Sequence, residues 1–135
     1  MKFSHHNRLV ELSDDWWIEA DMVRFVPQSK AYRAPSSCKN QHVHEVCIAD
    51  VGPLLRTTIF KDDPEGERKT ARERVLRLLR GFRAGDVIPP VEVVVGPPDY
   101  GYPYKLTHGA HRLYCSLAAG FTHVPVVSGV DWESL

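Results

Sequence analysis

The sequence predicts one mixed α/β (α+β) domain, a small mixed sheet carrying two main helices, with an N-terminal extension that adds a strand. Three observations lead there. The chain has 135 residues, enough for one compact core and too few for two that stand alone. Its usage, 43% hydrophobic and 25% charged, matches ordinary globular proteins and excludes a largely disordered, collagen-like or membrane-spanning chain. Its apolar spacing switches between period two and helical period several times from residue 41 onward, with no internal repeat or low-complexity tract. The division that follows is an extension over 1–40 and a domain over 41–135.

The extension is the least regular part, with His5-His6, the acidic pair Asp14-Asp15, the adjacent Trp16-Trp17, and Pro27 and Pro35. Within it Trp17 to Val26 alternates imperfectly and is rich in β-branched and aromatic residues, which predicts one strand, with the tryptophans as packing residues. A strand over 43–49 follows, stopped by Gly52-Pro53. After the polar turn around Pro64-Glu65-Gly66, Ala71, Val75, Leu78, Leu79 and Phe82 form an apolar stripe at helical spacing, predicting a helix over 67–83. Acidic residues gather at its start and arginines later, as the helix dipole favours. Ile88-Pro89-Pro90 leads into a buried strand over 91–95, closed by Gly96-Pro97-Pro98-Asp99. A strand over 102–106 should pair with it. A helix over 111–119, stopped by Gly120, and a strand over 123–127 complete the set.

Seventeen basic residues balance seventeen acidic ones, so no overall field draws the molecule to nucleic acid or acidic lipid. Any electrostatic partner must meet a local patch. Three cysteines, an odd number, in a chain that opens without a cationic, apolar leader predict a reducing, cytoplasmic setting. The longest apolar runs fall far short of the roughly 20 residues that span a bilayer, so no membrane partner is expected.

One segment carries chemical information. Between the strand ending near Leu106 and the helix from His111, the chain reads Thr107-His108-Gly109-Ala110-His111-Arg112. A glycine where a strand turns sharply into a helix lets backbone approach a ligand closely. The amides of the first helical turn and the positive helix end then favour an anion such as phosphate, with His111 and Arg112 adding donors and charge. The competing reading is a capped helix with a solvated arginine.

The run Ile88-Pro89-Pro90-Val91-Glu92-Val93, then Tyr104 to Leu113 with Gly109-Ala110-His111-Arg112, then Gly120-Phe121-Thr122-His123-Val124-Pro125-Val126, resembles the ParB/sulfiredoxin superfamily, over about residues 43–128. The resemblance implies a domain in which Gly109, Ala110, His111 and Arg112, with His108 beside them, hold the phosphates of a nucleotide: ATP, ADP or CTP, with or without magnesium. It also implies help from the first helix, where Arg72 or Arg74 are the candidates. Its members differ in what they do: ParB proteins hydrolyse CTP and grip DNA, sulfiredoxins use ATP to phosphorylate a sulfinic acid, and related domains are small-molecule kinases. Fold alone does not choose among these.

Departures narrow the choice. Sulfiredoxins carry a reactive cysteine directly before the His-Arg pair, and Ala110 stands there, so that activity is not expected. ParB proteins continue into a helical DNA-binding region, whereas this sequence ends soon after Val127, which argues against a partition protein. Kinase-like members often have an acidic residue where His108 stands, so one base or magnesium ligand is missing. The first reading is therefore a nucleotide-binding protein, with phosphoryl transfer to a small-molecule acceptor or nucleotide hydrolysis as the reaction it would support. The alternative is a non-enzymatic module that holds nucleic acid or a protein partner on the arginine-rich helix 67–83; a ParB-like nuclease is a weaker third. Arg112 is assigned to the ligand, so its removal is expected to weaken nucleotide binding and to change stability much less.

Two further groups need weighing. Cys38, His42, His44 and Cys47 form Cys-x3-His-x-His-x2-Cys, metal-binding types in an unfamiliar spacing. If 43–49 is a strand, Cys47 points away from the two histidines, so no structural zinc is expected. Cys115, one turn into the second helix, is expected to face the interior and be inert.

Overall fold

A computed structural model describes residues 1–54, 59–60 and 71–130. Its centre is a four-stranded mixed sheet in the order β5 (His44–Cys47), β8 (His123–Ser128), β6 (Val91–Val95), β7 (Tyr104–His108). β8 runs antiparallel to β5 and parallel to β6, and β6 runs antiparallel to β7. These are the four strands expected from residue 41 onward. Val46, Val91, Val93, Val124, Val126 and Val127 are buried on the sheet, and α2 (Ala71–Ala84) and α3 (Ala110–Ala119) join its core through Val75, Leu79 and Leu113. Residues 67–70 of the expected first helix lie outside the described residues, as does the polar turn before it.

Two of these strands differ from their expected bounds for identifiable reasons. The expected strand 102–106 begins only at Tyr104, after Pro103, which has no N–H to donate to a ladder; it runs on to His108. The expected strand 43–49 is shortened to His44–Cys47, because Ile48–Asp50 wind into a turn of 3-10 helix while the Ile48 amide reaches the Thr122 carbonyl. α3 starts one residue early, at Ala110.

The extension departs from its expected form. Trp17 to Val26 is not a strand: Asp14–Glu19 form a short helix, α1, with Asp14 and Asp15 in its first turn, where the dipole favours acids. Asp21 follows in a left-handed conformation at φ 60°, which a strand could not pass through. Trp16 and Trp17 do pack against the core, half-buried. Two hairpins went unseen, β1 (Lys2–His5) with β2 (Arg8–Glu11), and β3 (Ser37–Cys38) with β4 (Gln41–His42). Both turn through a pair of left-handed residues, His6-Asn7 and Lys39-Asn40, the geometry of two-residue hairpin turns.

Residues 1–40 share one core with the rest: Val10, Leu12, Ala20, Met22 and Tyr32 are buried in the same cluster as Val75, Val91 and Leu113. The first hairpin is fastened at its end, where His5 Nε2 lies 2.8 Å and His6 Nε2 3.1 Å from the Val51 carbonyl oxygen. His5 is buried, edge-on to Tyr114. Burial, and secondarily the neighbouring His6, hold its pKa below the ordinary 6.5. The unfolded chain therefore binds a proton that the folded chain refuses, so stability falls as pH drops through about 6.5 and levels off below the folded pKa. Melting followed by circular dichroism from about pH 8 to about pH 5 should be flat at the upper end and fall below about 6.5, less steeply in His5→Gln.

Candidate phosphate-binding cleft

Gly109 sets the geometry. It holds φ 105° and ψ 32°, the left-handed conformation that turns β7 directly into α3, and occupies the helix N-cap. The Leu113 amide already returns to the Gly109 carbonyl at 3.0 Å. A side chain at 109 would have no room: an added Cβ would stand 2.9 Å from Val91 Cγ1 and 3.1 Å from Val91 Cβ. Backbone and β6 thus touch here, and the α3 N-terminus opens into a cleft of about 740 Å³. Small-molecule sites commonly measure roughly 300–1,000 Å³.

The cleft gathers most of the residues expected from the sequence. His108, Gly109, Ala110, His111 and Arg112 line one side and Arg74, from α2, the other, joined by Arg77, Gly81 and Asp86. Two segments more than 30 residues apart in the chain thus meet through the packing of α2 on α3. Arg72 does not line this cleft: it lies in an adjoining groove that shares Arg77, Gly81 and Asp86, and its guanidinium pairs with Glu19 of α1. Arg80 approaches the same carboxylate at 3.9 Å, and Arg83 pairs with Asp21 at 2.8 Å. These three arginines belong to the seam between α1 and α2. Arg74 and Arg77 have no ion-pair partner among the described residues.

Arg112 has a second task that its place in the motif did not suggest. Its Nη1 donates to the Pro90 carbonyl at 2.6 Å and the Pro89 carbonyl at 3.2 Å, so the arginine ties α3 to the Pro-Pro segment. Tyr32 Oη donates to the same Pro89 carbonyl at 2.6 Å, and the Ile88 amide donates to the Arg33 carbonyl. Burial pushes the Tyr32 phenol well above its ordinary range, against the opposing pull of the Arg112 charge, so it remains a neutral donor. The extension therefore braces the wall of the cleft, a role invisible in the sequence because Tyr32 lies almost 60 residues before its partner.

His111 is also committed in part. Its Nε2 lies 2.8 Å from the Ile59 carbonyl oxygen, and its ring stacks on Phe60 with centroids 5.5 Å apart. His108, at the end of β7, is exposed to the cleft. Asp86 is the one carboxylate among the described lining residues. The sequence reading missed it; its position just beyond α2 and before the Pro-Pro strand was the available signal. Cationic groups from two helices thus surround a helix N-terminus, an arrangement suited to a multiply charged anion.

The other candidates fall elsewhere. Cys38 sits on β3, His42 on β4, and His44 and Cys47 on β5, so the four side chains are spread over three strands. Among the described residues no three His, Cys, Asp or Glu side chains converge as a metal site requires. Cys115 is fully buried, and burial raises its thiol pKa far above the ordinary range. No described helix is long and apolar enough to cross a membrane. Comparison with protein-family models, curated proteins and solved structures finds no match.

Proposed function

We propose that the protein is a ParB/sulfiredoxin-like domain, cytoplasmic, that binds a nucleoside di- or triphosphate in the cleft at the start of α3. The observation that carries this reading is the meeting of Gly109's left-handed turn with Arg74, Arg77 and Arg112 around one cleft. Phosphate oxygens would take the amides at the start of α3 and the guanidinium groups, and Asp86 and His108, which line the same cleft, are the groups that would exchange a proton there. Phosphoryl transfer to a small acceptor, or hydrolysis, is the reaction such a cleft would support. The nucleic-acid reading draws less support, because Arg72, Arg80 and Arg83 are spent on Glu19 and Asp21.

Calorimetry against ATP, ADP, CTP and a short DNA duplex, with and without magnesium, tests this directly. Binding of a nucleotide without binding of DNA is the expected result. In the double variant Arg74→Ala/Arg77→Ala the nucleotide affinity should fall about tenfold or more, as the loss of charge-assisted bonds implies. Binding of DNA alone would overturn the reading.

A further inference from the structure

Beyond the C-terminal end of α3, opposite the cleft, β5 and β8 bring a thiol and an imidazole together. Cys47 and His123 are register partners in the antiparallel pair, and Cys47 Sγ lies 3.3 Å from His123 Nε2. The other ring nitrogen is engaged too: His123 Nδ1 lies 2.8 Å from Thr122 Oγ1. When Nδ1–H donates to that hydroxyl, Nε2 carries the lone pair that faces the thiol. The backbone holds this arrangement, because the Thr122 and His123 amides both donate to the Lys30 carbonyl and the Ile48 amide donates to Thr122. Nucleophile, base and a group that orients the base are therefore in sequence and within reach. Solvent access separates this thiol from the others: Cys47 is exposed, Cys38 is partly covered and Cys115 is buried.

We propose that Cys47, paired with His123, is a reactive thiol that exchanges with small-molecule disulfides. Cys47 Sγ attacks one sulfur of the disulfide; the new S–S bond forms as the old one breaks. The thiol proton passes to His123 Nε2 and then to the departing thiolate, which leaves as a thiol. The Cys47 sulfur rises from the thiol to the disulfide level as the departing sulfur falls from the disulfide to the thiol level, so the exchange is redox-neutral overall. No other oxidant is required. None of the residues at this site lines the cleft, so the proposal is independent of nucleotide binding.

The test uses the whole protein with oxidised glutathione as probe, followed by mass spectrometry that resolves each cysteine. In the wild type the adduct should form at Cys47 about ten times faster than at Cys38, which is less exposed and has no imidazole beside it on this site. His123→Gln should slow Cys47 about tenfold through loss of the base, Thr122→Val should slow it less, and Cys47→Ser should abolish the dominant adduct. Equal modification of Cys38 and Cys47 in the wild type would overturn the proposal with no variant needed, as would an undiminished rate in folded His123→Gln.

Discussion

Gly109→Val should lower the unfolding free energy by about 2–5 kcal/mol, the sum of a left-handed backbone cost of about 1–2 and an overpacking cost of about 1–3. Both parts come from one place. Glycine adopts φ 105° freely, whereas a β-branched residue there crowds its own carbonyl. The new Cβ would also press on Val91, which is fully buried on β6 and pairs with Val126, so it cannot retreat. For a domain of this size that corresponds to a melting point lower by roughly 6–15 °C in calorimetry or circular dichroism. Gly101→Val separates the two contributions. Gly101 has φ 89° with nothing within 4 Å of an added Cβ, so only the backbone cost of about 1–2 kcal/mol applies. Equal losses at the two glycines would mean that β6 yields to accommodate a side chain at 109. Nucleotide binding should fail in Gly109→Val even at temperatures where it remains folded, since the amides that open α3 would be displaced.

Arg112→Ala should weaken nucleotide binding by about 1.5–3 kcal/mol, or roughly tenfold to a hundredfold, through loss of a charge-assisted phosphate contact. The sequence reading expected little effect on stability. The bonds to the Pro89 and Pro90 carbonyls change that expectation, because removing the guanidinium strips a donor from both at once; a loss of about 1–2 kcal/mol should accompany the binding defect. Arg112→Lys distinguishes the roles. A lysine keeps the charge but presents a single ammonium in place of a planar fork, so it should recover part of the affinity and less of the stability. Denaturant unfolding and calorimetry on the three proteins provide both readings. Unchanged nucleotide affinity in folded Arg112→Ala would remove the arginine from the site and leave it as a tie between α3 and the Pro-Pro segment.

Legibility in the sequence followed how local each signal was. Ala71, Val75, Leu79 and Phe82 announce α2, and Val91 to Val95 announces β6, because spacing within ten residues decides which face is buried. Gly109 and Arg112 were legible as a strand-to-helix turn for the same reason. The extension was not. Asn7 and Asn40 mark hairpin turns, but their strands are only two to four residues long and expose most of their side chains, so no alternation stands out. Arg72 and Arg74 could not be told apart without knowing where Glu19 lies; two residues apart on a helix, they face different neighbours. The Tyr32 brace and the Cys47–His123 pair depend on tertiary register, which a single sequence does not display.

The position of β8 at the middle of the sheet has a kinetic consequence. β5 finds no partner within its own half of the sequence; it waits for residues almost 80 positions later, and β6 meets β8 only after β7 and α3 have been traversed. Until residues 123–128 have been synthesised, β6 and β7 can close as a hairpin, but Val46 of β5 and the apolar faces of α2 and α3 have no finished surface to cover them. Closing such long loops costs chain entropy before any contact repays it, which places the rate-limiting step late and makes folding of the central sheet slow for a chain this short. A nascent chain paused before His123 would expose those valines and leucines to chaperones or to other copies of itself.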